Sequence, residues 1–295
     1  MRLDDFRESE NIEDRRGGGG GFNLPGGRGG IGIGGIAIVL VISYVTGINP
    51  MTLFGVYDSV SGGGAPAQTS APAQHGMPAD ATGAFVARVL GSTEDSWTEI
   101  FQQQAPGKHY QKTDLVLFSG ATRSGCGDAQ SAMGPFYCPK DKKVYLDTGF
   151  FQMMRDRFQA CGGTCEFSQA YVIAHEVGHH VQDLLGILPA VHQREERAHS
   201  EAEANAYSVA LELQADCFAG VWANHTQEKF HFLQQGDVES ALKTANAIGD
   251  DMLQRRSTGH VVPDSFTHGT SAQRSAWFSA GLQSGQINAC NTFQR

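Results

Sequence analysis

The stretch "AYVIAHEVGHHVQDLLG", Ala170–Gly186, decides how the rest of the chain is interpreted. Its pattern predicts a helix that Gly186 closes. Residues four apart on a helix lie one turn above each other, so His175 and His179 share a face. Two imidazoles at that spacing can bind one zinc ion at about 2.0–2.1 Å. Glu176, about 100° further round the helix, is then predicted to be the general base that takes a proton from a metal-activated water.

The alternative is an ordinary amphipathic helix with surface or core histidines, because short patterns of this kind also occur by chance. Gly178 costs about 1 kcal/mol relative to Ala inside a helix, which makes sense if a neighbouring segment must pass close to it. His180 points about 100° away from His179. We expect His180 to pack or to support the site rather than to bind the metal.

A second half-site strengthens the metal interpretation. In "LELQADCFAG", Glu212 and Asp216 again stand four apart on one predicted helix face. A catalytic zinc needs three protein ligands and one open position, and Glu212 would be the third ligand. Asp216 would accept the outer N–H of His175 and so fix its tautomer. The alternative is a solvated helix face, but bare carboxylates are costly among the neighbouring apolar residues.

The segments "AHEVGHHVQ" and "SVALELQADCFAGVW" resemble the bacterial family of neutral zinc metallopeptidases, and the resemblance covers nearly the full chain. HExxH followed by ExxAD is also similar to the gluzincin peptidases. The resemblance implies one zinc per chain bound by His175, His179 and Glu212, with Glu176 as the base and Asp216 supporting a histidine. It also implies an α+β, mainly helical, zincin-like domain with a small β-sheet.

Water attack on an amide builds an oxyanion, which a hydrogen-bond donor should stabilise. The segment "THGTSAQR" offers His268, with Arg274 six residues later, and the resembling peptidases have a similar His and Arg near the zinc. We expect His268 to be this catalytic donor. The alternative is a histidine that caps the last helix, and weaker candidates for the donor are His225, His231 and Tyr207.

The N-terminal part of the chain has a different composition. Residues 1–28 are polar and glycine-rich and predict a flexible cytoplasmic tail. Residues 29–57 contain no charged side chain, and an 18-residue helix within them would span roughly 27 Å, so they predict one transmembrane helix. Residues 58–80, rich in Ser, Gly, Ala and Pro, predict a linker. The folded domain is expected over residues 81–295.

Arginines precede the apolar segment but do not follow it closely, so the positive-inside rule predicts a cytoplasmic N-terminus and an extracytoplasmic, periplasmic domain. The alternatives are a buried core element and a cleaved signal peptide. Peptidases of this type hold substrate as an added strand on a sheet edge. The segment Gly134–Asp147 or the segment Asp114–Gly120 could supply that edge, although a structural hairpin is an equal alternative.

Six cysteines allow three disulfides if the domain is extracytoplasmic. Nearness in sequence favours two of the pairs and leaves the third, which would tie the C-terminus to the Glu212 helix. The pairs are Cys126–Cys138, Cys161–Cys165 and Cys217–Cys290. A structural zinc on Cys161 and Cys165 is a competing interpretation that lacks a second ligand pair.

The net charge of −9, with no basic stripe, argues against nucleic acid as a partner. The predicted function is a zinc-dependent metalloendopeptidase that acts on peptides or proteins and contacts the membrane through its N-terminal helix. The alternatives are a catalytically inactive, zinc-stabilised binding protein on the same fold, and a zinc hydrolase of another amide bond. Glu176 distinguishes the first alternative, since a closed structural site has no use for that carboxylate.

Overall fold

The computed structural model describes residues 1–16, 74–75, 78, 80–158, 165–257 and 260–293. This part of the chain is an α+β fold that is mainly helical, as predicted, with a five-stranded sheet and a separate two-stranded hairpin. The helices are α1 (Ala81–Gln104), α2 (Thr148–Phe158), α3 (Glu166–Leu185), α4 (Ile187–Glu196), α5 (Glu201–Phe230), α6 (Asp237–Ala247), α7 (Asp250–Ser257) and α8 (Ser271–Ser284). The strands are β1 (Ile12–Asp14), β2 (Gln74–His75), β3 (Asp114–Phe118), β4 (Ala121–Ser124), β5 (Gly127–Gln130), β6 (Phe136–Cys138) and β7 (Lys143–Asp147).

The larger sheet has the strand order β2-β1-β3-β7-β6. β3 lies parallel to both β1 and β7, whereas β6 pairs antiparallel with β7 at one edge. The interior position of β3 follows from its run "DLVLF", whose last four residues are all buried, as expected for a strand covered on both faces. Because both sides of β3 are paired, the prediction that Asp114–Gly120 forms a free edge is wrong.

The first 16 residues belong to the domain. β1 pairs with β3 in the register Ile12 to Leu115, and Ile12 is fully buried. The aromatic ring of Phe6 packs at 5.1 Å from that of Phe230 at the end of α5. The prediction of a flexible tail is therefore wrong for residues 1–16.

A buried carboxylate explains how so polar a segment joins the fold. The Glu94 side chain on α1 is fully buried and accepts hydrogen bonds at 2.6 Å from Ser9 Oγ, from Asn11 Nδ2 and from Arg7 Nη2. The composition suggested that this segment could form no core. Because Glu94 supplies partners for its polar groups, they are not left without hydrogen bonds when the segment packs.

The predicted transmembrane helix, residues 29–57, lies outside the described residues, as does most of the predicted linker. Among the helices that are described, none is both long enough and apolar enough to cross a membrane. The pairing of β1 nevertheless sets a constraint on topology. Strands in a sheet lie about 4.8 Å apart, whereas the hydrocarbon core is about 30 Å thick. Within the described part of the chain, β1 and β3 must therefore lie on the same side of any membrane.

Helix α3 crosses α5 at very short range. A Cβ atom added to Gly178 would lie 3.0 Å from the carbonyl oxygen of Ala215 and 3.2 Å from its Cα atom. The expected reason for this costly glycine, a neighbouring segment that passes close by, is confirmed. The approach of the two helices puts the HExxH segment opposite the segment that contains Glu212.

Two of the predicted disulfides are present. Cys126 is joined to Cys138, which links the β4–β5 hairpin to β6. Cys217 on α5 is joined to Cys290 in the C-terminal turn Ile287–Cys290, so the C-terminus is tied to the Glu212 helix. Cys161 lies outside the described residues, and its predicted pairing stays a prediction.

Candidate active site

Helix α3 begins at Glu166 and ends at Leu185, and the next residue, Gly186, adopts the left-handed conformation with φ 81°. His175 and His179 are both buried on one face of this helix, with their ring centroids 4.8 Å apart. The two imidazoles therefore stand on adjacent turns of the helix, as the spacing predicts.

Glu212 reaches both histidines from α5. Its Oε2 atom lies 3.2 Å from His175 Nε2, and its Oε1 atom lies 3.3 Å from His179 Nε2. One ligand atom from each of these three residues lies within 4.8 Å of the other two, which is a spacing that could hold a metal ion. Burial would raise the pKa of the Glu212 carboxyl group, but the imidazoles of His179 and His175 beside it hold that pKa well below its usual range.

Asp216 lies one turn beyond Glu212 and is fully buried. Its Oδ1 atom is 2.9 Å from His175 Nδ1 and also accepts a hydrogen bond from the Tyr171 hydroxyl. Arg274 on α8 donates from Nε to Oδ2 at 2.8 Å and from Nη2 to Oδ1 at 2.9 Å. Burial would raise the pKa of Asp216, but the charges of Arg274 and His175 lower it to about 2. The carboxylate is therefore ionised and can accept a hydrogen bond from Nδ1–H of His175.

His175 lies between two carboxylates. Burial alone would lower its pKa, but the charge and hydrogen bond of Asp216, together with those of Glu212, raise it to about 10. The Nδ1 atom faces Asp216, so the Nε2 atom faces Glu212 and the centre of the cluster. This is the orientation that leaves Nε2 available as a metal ligand.

Glu176 is 7% exposed and follows His175 directly on α3. Burial raises the pKa of its carboxyl group, and the charges of His175 and His179 oppose that rise. A carboxylate with a raised pKa is a stronger base than an exposed one, which suits proton abstraction near neutral pH.

His268 lies in the loop before α8, where a single carboxylate organises the backbone. Asp250 Oδ2 accepts hydrogen bonds from the backbone N–H groups of Thr267, His268 and Gly269 at 2.7, 2.6 and 3.1 Å. Asp250 Oδ1 lies 3.3 Å from His268 Nδ1. Desolvation would lower the pKa of His268, but this hydrogen bond and the charge of Glu212 raise it. The loop lies against α5, since a Cβ atom added to the next residue, Gly269, would lie 3.2 Å from the side chain of Leu213.

The other histidines that were considered lie elsewhere. His180 is buried behind the site, with Nε2 2.6 Å from the carbonyl of Gln111 and Nδ1 3.1 Å from the Tyr137 hydroxyl. His225 Nε2 donates to the carbonyl of Gly285 at 2.9 Å. His225 is 13 residues past Glu212 on the same helix, which corresponds to about 20 Å, so it cannot share the site. His231 is further still and caps the C-terminal end of α5 with φ 48°.

Tyr207 is partly buried and packs against the main apolar core. Sequence reasoning considered Arg274 only as a neighbour of the zinc, whereas the structure pairs it with Asp216. Asp250 was not considered, and its signal was the pair Gly249-Asp250 inside an otherwise helical stretch, a pattern typical of a helix stop followed by a new N-terminus. Gln182 was also missed, although it lies three residues after His179 on the same face of α3.

Comparison with known proteins agrees with this geometry. A family described as "Putative neutral zinc metallopeptidase" matches residues 1–293, so the chain belongs to that family, for which zinc and hydrolysis of peptide bonds are implied.

More particular matches are found among curated proteins. The "Uncharacterized protein YpfJ" of Escherichia coli K12 is 48% identical over 301 residues, which cover 99% of each chain. The "Uncharacterized protein Rv2575" of Mycobacterium tuberculosis H37Rv is 44% identical over 225 residues, or 73% of each chain. No solved structure shows significant similarity to the chain.

Proposed function

We propose that this chain is a zinc-dependent endopeptidase with a zincin-like active site. The observation that carries the proposal is the convergence of ligand atoms from His175, His179 and Glu212 within 4.8 Å of one another. Two imidazoles and one carboxylate match the ligand set of catalytic zinc sites, which keep a fourth position open. Each imidazole also has an acceptor at its outer nitrogen, as metal-binding histidines usually do. The residues therefore fit a zinc ion.

A zinc ion held there would lower the pKa of a water molecule and polarise the carbonyl of the scissile bond. Glu176 takes the proton of the attacking water and passes it to the leaving amine. His268 in its protonated form donates a hydrogen bond to the oxygen that becomes negatively charged. Asp250 holds the backbone of the His268 loop and accepts from His268 Nδ1, which leaves Nε2 as the donor.

The edge strand β6 is our proposed site for the substrate backbone. Within the described part of the sheet, β6 is bonded only to β7, so its other side can accept an extended peptide through main-chain hydrogen bonds. β6 also lies beside the active-site helix, because the Tyr137 hydroxyl donates to Asp183 at 2.9 Å. Of the two segments that were considered, Gly134–Asp147 is the one that contains this edge.

The domain, together with residues 1–16, is proposed to lie on the extracytoplasmic side. The disulfides Cys126–Cys138 and Cys217–Cys290 support this location, since such bonds persist in oxidising compartments. The expectation of a cytoplasmic N-terminus is not kept, because β1 cannot pair with β3 across a bilayer. Contact between residues 29–57 and the membrane stays a prediction, and their two flanks would then lie on the same side.

Cysteine labelling in intact cells tests this topology. Asp5 and Glu228 are both exposed, and each can be replaced by cysteine and treated with a membrane-impermeant maleimide. We expect Asp5→Cys and Glu228→Cys to be labelled alike. Labelling of one site without the other would contradict the shared side, and protection of both would contradict the extracytoplasmic location.

The catalytic proposal is tested with the full chain, since a fragment that begins at Ala81 would lack β1 and β2. Cleavage of an unfolded protein such as casein is measured together with zinc per chain for wild type, for Glu176→Gln and for the control Glu228→Gln on the exposed face of α5. We expect one zinc in all three and loss of cleavage only in Glu176→Gln.

Other outcomes separate the alternatives. If all three proteins hold zinc and none cleaves casein, the result favours the alternative of a zinc-stabilised binding protein. The same samples are then assayed on other amide substrates such as cell-wall peptides. If the wild type holds no zinc, the proposal fails.

A further inference from the structure

The outer nitrogen of His179 has an unusual partner. His179 Nδ1 lies 2.9 Å from Oε1 of Gln182, one turn further along α3, and Gln182 is completely buried. An amide oxygen can only accept a hydrogen bond, so Nδ1 of His179 must carry a proton. Nε2 faces Glu212 and the centre of the cluster and is therefore the nitrogen left for a metal ion.

The orientation of the Gln182 amide is itself fixed. Its Nε2 atom donates to the carbonyl oxygen of Leu211 at 2.7 Å. A flipped amide would place Oε1 against that carbonyl oxygen, which cannot donate. This contact would be repulsive, so the amide can take only the orientation in which Oε1 faces His179.

The series of hydrogen bonds continues from Gln182 to the C-terminal turn. Gln182 Nε2 also donates to Oε1 of Gln214 at 3.1 Å, and Gln214 Nε2 donates to the carbonyl oxygen of Cys290 at 2.9 Å. Gln214 is 5% exposed and lies on α5, between Glu212 and Asp216. Cys290 is joined to Cys217 on that same helix. Each amide in the chain His179–Gln182–Gln214–Cys290 therefore has a single satisfied orientation, fixed by a backbone carbonyl that cannot donate.

We infer that Gln182 is a positioning residue that holds His179 in its metal-binding tautomer, and that Gln214 and the Cys290 carbonyl keep the Gln182 amide in the required orientation. The inference rests on the proposed function, since it concerns a zinc ligand. It assigns the two histidines different supports. His175 is oriented by the charged pair of Asp216 and Arg274, whereas His179 is oriented by neutral amides that add no further negative charge to a site with three carboxylates.

The test measures zinc affinity by competition with a chelator, the melting temperature of the zinc-free protein, and the visible spectrum of the cobalt-loaded protein. The variants are Gln182→Met, which has similar volume but no strong acceptor, and Gln182→Glu, whose protonated carboxyl group keeps an oxygen toward His179 and an O–H donor toward the Leu211 carbonyl. The matched control is Gln169→Met, another buried glutamine of α3 that bonds neither ligand histidine.

We expect Gln182→Met to bind zinc about 10–100-fold more weakly than wild type and to show a changed cobalt spectrum. Gln182→Glu should recover most of the affinity, and Gln169→Met should match wild type even if its melting temperature falls. Wild-type affinity and spectrum in a folded Gln182→Met would overturn the inference, while absence of zinc from the wild type would instead refute the proposed function.

If Gln182→Met does not fold, Gln214→Met decides, because it leaves Gln182 in place and removes only the outer support. Weaker zinc binding than in Gln169→Met supports the inference. Binding equal to that of the control overturns it.

Discussion

Replacing Asp250 by Asn should move the alkaline limb of the pH–rate profile to lower pH. The proposed donor is protonated His268, which exists below its pKa, so activity falls as the pH rises through that value. Asp250 raises this pKa through its charge and its contact with Nδ1. An Asn oxygen can keep the three backbone N–H bonds of the loop, while its NH₂ group would face Nδ1 and oppose protonation there.

The size of the shift follows from the geometry. A hydrogen bond to a charged group contributes about 1.5–3 kcal/mol, and one pKa unit corresponds to about 1.4 kcal/mol. The His268 side chain is 51% exposed and its Nδ1 lies 3.3 Å from the carboxylate, which is long for a charged pair. The range for exposed ion pairs, about 0.2–1 kcal/mol, therefore applies, and the alkaline limb is expected to move to lower pH by about 0.1–0.7 pH unit.

The assay is the pH dependence of kcat/KM on a fluorogenic peptide for wild type, Asp250→Asn and His268→Gln. His268→Gln keeps an N–H donor that does not titrate in this range, so its alkaline limb should disappear while some activity remains. Two results would refute the reasoning. One is an Asp250→Asn limb that coincides with that of wild type, and the other is an unchanged limb in His268→Gln.

Two further changes probe the helices that hold the site. Arg274→Met should destabilise the fold by about 3–5 kcal/mol, because it leaves the Asp216 charge buried without its cation; urea unfolding measures this, and a loss below about 1 kcal/mol would show that the pair is not needed. Gly281→Ala should destabilise by about 1–3 kcal/mol or more, because the added Cβ would lie 1.9 Å from the Cys217 carbonyl oxygen. Thermal unfolding beside Ser279→Ala checks this second prediction, and equal melting temperatures would contradict it.

Much of the site could be predicted from the sequence because helical spacing is a local property. The intervals from His175 to His179 and from Glu212 to Asp216 fix which side chains share a face, whatever the rest of the chain does. The resemblance to a family then related the two segments to one another. Gly178 gave a further hint, since a glycine inside a helix predicted the close approach of α5.

The supports of the site could not be predicted in this way, because they depend on contacts between distant segments. Asp250 and His268 are 18 residues apart, and Gln214 and Cys290 are 76 residues apart. No spacing rule relates such pairs. A local cue exists only for Asp250, which follows Gly249 at a helix break, and the cue predicts a cap without identifying the loop that it holds.

The N-terminal error has a different physical origin. Residues 1–16 have the composition of a disordered tail, and composition measures how much apolar surface a segment can bury by itself. Composition contains no information about a partner such as Glu94. This residue lies more than 80 positions away and accepts hydrogen bonds from polar groups of three residues at once. The charge rule for membrane orientation is subject to the same effect, since it treats the flanks of an apolar segment as independent. In this fold the flanks are adjacent strands, because Asp14 on β1 pairs with Gln74 on β2. Tertiary pairing therefore determines on which side residues 1–16 lie, and the location of the two disulfides becomes evidence about the N-terminus as well as about the domain.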